Sequence, residues 1–226
     1  MFQKILTSAL FAGFCTGLIA AALQIVFVQP VLLHAELYEG GELAHFATPP
    51  ASAHPELPGF EPVRDGLSIL FSALIYVGYG LMLVACMGFA AMRGAVIDAR
   101  RGIVWGIAGF VALHFAPAFS LPPEVPGVAA ADLVARQVWW WGTVAASATG
   151  LALIGFGRGW PAWGAAILLL LAPHVIGAPH PDSFAGPVPP EIAAQFAARA
   201  LGTGLAAWSI LGLLAGYFWQ RESATA

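Results

Sequence analysis

Charge is scarce in this sequence. Only 9% of its 226 residues are Asp, Glu, Lys or Arg, against roughly 25% in an ordinary soluble domain. That shortage excludes a water-soluble surface. No run of Lys and Arg occurs and the net charge is only −3, so a nucleic-acid-binding patch is excluded as well. Cysteine is nearly missing. Cys15 and Cys86 stand alone in apolar runs, which rules out a disulfide framework or a thiolate zinc site. Small packing residues are the ordinary reading of both. The chain has no H-E-x-x-H pattern, no Gly-rich loop ending in Lys-Ser/Thr and no nucleophile elbow. It carries no signature of zinc peptidase, nucleotide hydrolase or serine hydrolase chemistry, and a non-enzymatic protein is expected.

What the sequence has in abundance is apolar length. Hydrophobic residues make up 59% of it, in near-uncharged stretches of about 20 residues, each enough to cross a bilayer. The expected fold is all-α: a polytopic membrane helix bundle forming a single domain over residues 1–226. Six spans are read at about 5–33, 67–92, 103–119, 138–156, 162–178 and 195–219. Pro161 opens the fifth span and Pro173 interrupts its end, which leaves a five-span reading open. The apolar run from Ile5 to about Val28 is longer than a signal-peptide core, so an uncleaved first helix is expected.

Charge placement orients the six spans. With the N-terminus in the cytoplasm, six of the nine basic residues fall inside: Lys4, Arg93, Arg100, Arg101, Arg158 and Arg221. That agrees with the positive-inside rule. Ten of the twelve acidic residues fall outside. Acidic residues orient a chain only weakly, so their asymmetry needs another cause. The expected location is the cell's inner membrane, multi-pass. The inner connections are short. The outer ones, about 34–66, 120–137 and 179–194, are long and rich in Pro and Gly, and recognition chemistry is expected there.

The outer loops share a pattern. The first has His45-Phe46-Ala47, Pro55-Glu56-Leu57-Pro58-Gly59 and Arg64. The second has His114-Phe115-Ala116, Pro123-Glu124-Val125-Pro126-Gly127 and Arg136. The third has His180-Pro181, Pro190-Glu191-Ile192 and Arg199. From His to Glu is 11, 10 and 11 residues. This suggests three helical hairpins in one orientation, each presenting a His, a Glu and an Arg.

All six histidines, His34, His45, His54, His114, His174 and His180, fall in or beside the outer half. A single His near a helix end is usually structural; six on one face are harder to assign that way. Ionisable groups at membrane depth are costly and tend to face a cavity or one another. Neutral imidazoles beside carboxylates suit divalent first-row metals. The candidate metal ligands are therefore His114, Glu124, His174, His180, Glu191, His45, His54 and Glu56. Ser68, Ser72, Tyr76 and Tyr79 recur along one face of the second span. They read equally as a path lining or as interhelical hydrogen bonding. Ser72 and Tyr76, with Arg136 and Gln137 at the head of the fourth span, are the candidate path residues. Met82, Cys86, Met87 and Met92 do not share a face, which argues against a ladder of soft ligands. Trp139, Trp140, Trp141, Trp160, Trp163 and Trp219 are expected in the aromatic belts. Gly13/Gly17, Gly102/Gly106 and Gly212/Gly216 are small-xxx-small pairs expected to pack helices.

Several segments carry a family resemblance. His114-Phe115-Ala116-Pro117-Ala118-Phe119-Ser120-Leu121-Pro122-Pro123-Glu124-Val125-Pro126-Gly127 is one, and Ala135-Arg136-Gln137-Val138-Trp139-Trp140 another. Pro173-His174-Val175-Ile176-Gly177-Ala178-Pro179-His180-Pro181 and the N-terminal Ala35-Glu36-Leu37-Tyr38-Glu39 complete the set. The chain resembles the CbtA family of predicted cobalt transporter subunits over essentially its whole length. The resemblance implies cobalt uptake tied to cobalamin synthesis. It also implies a small single-span partner, CbtB, with a His-rich tail.

On this reading no cofactor is tightly bound, and a divalent metal is the substrate. The acidic outer face would focus cations, with His114, His174, His180 and Glu124 as the loading site. Ligand imidazoles must be neutral, so uptake should fall off below about pH 6. Two other classes stay open. One is a haem-binding electron carrier using His114 and His174, which an absorption spectrum would reveal. The other is an assembly partner with no transported substrate, which metal-binding calorimetry would separate. Oligomeric state and metal identity are not readable from the sequence.

Overall fold

The computed structural model describes residues 2–48 and 51–224. Six helices among them are long and apolar enough to cross a membrane. They are α1 Phe2–Glu39, α2 Pro62–Met92, α3 Ala99–Ser120, α4 Leu133–Phe156, α5 Gly159–Ile176 and α6 Pro190–Ala224. No strand occurs among the described residues. The all-α, six-span plan is therefore present. Pro173 does lie inside α5, but so near the helix end that the missing backbone donor costs little of the helix.

Several helices run past the apolar stretches, because polar residues at their ends act as caps. Pro62 opens α2 at the first helical position, and the Glu61 side chain accepts from the backbone N–H of Val63 and Arg64. Asp132 accepts from Ala135 N–H at 2.9 Å to start α4. Both satisfy donors that a bare helix start leaves unpaired. The long connections shrink to residues 40–61, 121–132 and 177–189, and the short ones are 93–98 and 157–158.

α1 and α3 each contain one π-turn, Gln24–Val28 and Val111–Phe115. In both, a proline (Pro30, Pro117) stands six residues after the first residue of the turn. Proline lacks an N–H and crowds the carbonyl four residues back. A local switch to wider hydrogen bonding lets each helix continue through that obstacle.

The chain divides into two compact units. The first takes the residues up to Gln29, Pro58–Phe110 and the segment from Gly202. Its helices meet through small residues. A Cβ at Gly17 would come within 2.5 Å of Ala73 Cα, and one at Gly13 as close to Val77 Cα. Ser72 Oγ donates to Gly17 O at 3.0 Å across the same contact. Gly102 and Gly106 face Gly212 and Gly216 so closely that no side chain fits between their backbones. The two predicted glycine pairs of α3 and α6 are thus each other's partners. Trp208, Leu211, Val84 and Met87 fill the rest of this core.

Trp219 is buried: the Lys4 ammonium sits 4.1 Å from its ring centroid and Gly88 packs against its edge. One expectation changes here. Cys15 and Cys86 are free and face outward instead of packing inside.

The second unit takes Pro30–Leu57 and Val111–Leu201. It contains almost all of the long connections, and they are not loose. Val125 and Val188 from two of them join Val31, Ala35 and Tyr38 of α1 and Ile192 of α6 in one apolar cluster. Leu43, Ala51, Val128 and Phe196 pack against it. Ala129 N–H donates to Ala185 O at 2.7 Å between two of the connections.

Candidate metal site

All six histidines belong to the second unit. The best organised is His174. Its Nδ1 lies 2.8 Å from Ser120 Oγ, at the last residue of α3. Phe119 stands edge-on at 5.0 Å between ring centroids, and Trp139 of α4 at 6.1 Å. Trp139 Nε1 donates to Pro173 O at 3.3 Å, fixing the indole against the backbone beside His174. Three helices therefore hold one half-buried imidazole. When Nδ1 carries the proton and Ser120 accepts it, Nε2 keeps its lone pair for a metal. The sequence nominated His174 from its place near the outer end of the fifth span, but not Ser120 or Trp139 as its holders. No local signal links positions 54 residues apart.

Just beyond His174 the chain turns at Gly177, whose φ of 91° is open to glycine and strained for any other residue. Gly177 N–H still closes the last helical bond to Pro173 O at 3.0 Å. The turn delivers His180 to an exposed position, 6.2 Å from the Phe184 ring. His114 is half-buried within the π-turn of α3, a kind of local widening often found at functional sites.

The expected carboxylates are placed differently. Glu124 is engaged: its Oε2 lies 2.9 Å from Arg136 Nη2. Glu191 is exposed in the first turn of α6, and Glu56 is exposed in the first long connection. His45 is exposed, its ring tilted against that of Phe46 with centroids 4.2 Å apart, and His54 is exposed beside Ser52. Of the path residues, Ser72 is buried and bonded to α1, Tyr76 is buried, and Gln137 is exposed. Among the described residues no three His, Cys, Asp or Glu side chains converge closely enough to hold a metal ion. What this unit offers is single oriented imidazoles rather than a closed cage.

A family model described as "Probable cobalt transporter subunit (CbtA)" matches residues 2–220 of the 226-residue chain. No curated protein and no solved structure is significantly similar to it.

Proposed function

The chain belongs to the CbtA family of probable cobalt transporter subunits, and from that premise we propose that it is the membrane-embedded subunit of a divalent-metal uptake system. Cobalt is its substrate and cobalamin synthesis the use. The observation that carries this reading is the Ser120–His174 contact at 2.8 Å. A hydrogen-bond acceptor on one ring nitrogen fixes the tautomer and aims the other nitrogen at a metal, and the Ser120 hydroxyl can accept in that way.

On this reading His174, His114 and His180 receive the ion one after another, with Glu124 released from Arg136 as the ion arrives. Few simultaneous ligands suit transport, where an ion must leave as readily as it binds. The N-terminus lies in the cytoplasm of a multi-pass inner-membrane protein, and the histidine-bearing unit faces out. A dication moving inward then gains about 4.6 kcal/mol per 100 mV of membrane potential, so accumulation needs no nucleotide hydrolysis by this chain. The word "subunit" in the family's description supports a partner, and a small single-span, His-rich membrane protein of the CbtB kind fits that place.

The test is accumulation of Co, Ni and Zn in cells with and without the gene, followed by the double variant His114→Ala, His180→Ala. Cobalt accumulation should depend on the gene and fall with the variant. Accumulation that ignores the gene sinks the transport reading; accumulation unchanged by the variant sinks the site.

A further inference from the structure

One histidine stands apart from these three. His34 lies in the last part of α1, after Pro30, and its imidazole is half-buried. Its Nε2 is fully shielded and finds no hydrogen-bond partner among the described residues. Tyr38 covers one side of the ring at 5.6 Å between centroids. A shielded polar nitrogen without a partner is rare, and it marks a place where a water or an ion completes the structure.

The first long connection supplies a candidate second ligand. Ala51 packs against the apolar cluster that contains Ala35 and Tyr38, so the cluster holds the stretch around residues 51–54 beside this part of α1. His54 follows three residues later, exposed on the same stretch. The cluster thus holds a shielded imidazole next to an exposed one.

We propose that His34 and His54 form a two-histidine metal station, separate from the His174 site, with water completing the ion's coordination. The proposal rests on the reading of the chain as a divalent-metal carrier and adds a ligand pair to it. His54, the exposed member, meets the ion first; His34 draws it off the surface. Two protein ligands hold a first-row dication weakly, as a transfer station requires. His34 lies one turn beyond Pro30, just after the α1 π-turn, so the ion would sit beside a locally widened turn of a membrane helix. Widened turns of this kind are frequent at functional sites.

The experiment is carbethoxylation of histidines in the purified full-length protein in nanodiscs, with and without Co²⁺, read residue by residue by mass spectrometry. In the wild type, Co²⁺ at about tenfold its Kd should slow modification of both His34 and His54 by about tenfold. In His54→Gln, an exposed change that leaves the fold alone, protection of His34 should vanish while protection of His174 persists. His34→Gln should likewise abolish protection of His54. Protection of His34 that survives in His54→Gln overturns the pair. Protection of His174 without protection of His34 or His54 also overturns the pair but leaves the transport reading standing. A wild type in which Co²⁺ protects no histidine overturns both.

Discussion

Arg136 Nη2 lies 2.9 Å from Glu124 Oε2, joining the head of α4 to the connection that precedes it. This is the Glu–Arg relation that the loop pattern leads one to expect, and the second loop realises it. The first loop does not. There Arg64 turns to Asp65 and to the carbonyl of Gly59. Glu124 is therefore a carboxylate already paired with a cation, and a metal ion would compete with Arg136 for it.

Both side chains of that pair are 29% exposed, so solvent screens the attraction and its worth to stability is at most about 1 kcal/mol. Arg136→Gln and Glu124→Gln should each shift thermal unfolding only slightly, with a coupling below about 1 kcal/mol in the double-mutant cycle. Cobalt affinity should separate them: Arg136→Gln frees the carboxylate and tightens binding, whereas Glu124→Gln weakens it. Calorimetry with Co²⁺ reads the difference, and parallel changes in the two variants would deny Glu124 a ligand role.

Ser120 holds His174 by one hydrogen bond, and losing an orienting partner of that kind costs roughly ten- to a hundredfold in metal affinity. Ser120→Ala should raise the cobalt concentration needed for half-maximal uptake by about that factor, leaving the maximal rate much less changed. Ser120→Thr keeps the hydroxyl and should restore much of the loss. A transport assay over a cobalt series checks both. An equal loss in Ser120→Ala and Ser120→Thr would point to packing instead.

Asp65 is buried at the start of α2 and accepts four hydrogen bonds. They come from Gln29 Nε2 at 2.6 Å, Arg64 Nε at 2.9 Å and Nη2 at 3.2 Å, and Glu61 N–H at 2.8 Å. Gln29 directly follows the π-turn of α1, so this carboxylate ties that turn to α2. Removing an acceptor strands its donors, which costs more than removing one donor from a satisfied acceptor. Arg64 is one-third exposed and can turn to water. Melting temperatures in detergent should therefore fall in the order Asp65→Ala, Asp65→Asn, Arg64→Ala, from most to least affected.

Much of this was legible in the sequence, and the illegible part has physical causes. Six helices follow from apolar length and scarce charge, which local composition reports directly. The close approach of Gly102 and Gly106 to Gly212 and Gly216 was foreshadowed by spacing, since small residues four apart share a helix face. The Pro- and Gly-rich connections read as solvated loops. Their apolar residues Val125, Val128 and Val188 are too dispersed for any periodicity to show that they join Tyr38 in one cluster. The π-turns were invisible because a single widened turn barely disturbs a helical pattern; only Pro30 and Pro117 hint at them. His174 could be nominated from its neighbourhood, but its partner Ser120 comes from another helix. The unpartnered Nε2 of His34 exists only once the chain is folded.

The glycines offer the sharpest test of the packing. A Cβ on Gly212 would lie 2.6 Å from Gly106 N and 2.8 Å from Gly106 Cα. These are backbone atoms, so the helices must part to admit even one methyl group. Overpacking of this kind costs about 1–3 kcal/mol, and close backbone approach is what drives association where no hydrophobic effect operates between helices. A Cβ on Gly142, in α4, would meet no atom within 4 Å. There alanine finds no obstacle and improves helix propensity by up to about 1 kcal/mol. Gly212→Ala should therefore lower the unfolding temperature in nanodiscs, and Gly106→Leu should abolish folded yield. Gly142→Ala should be neutral or slightly stabilising. If Gly212→Ala and Gly142→Ala behaved alike, the intimate contact of α3 with α6 in the first unit would be wrong.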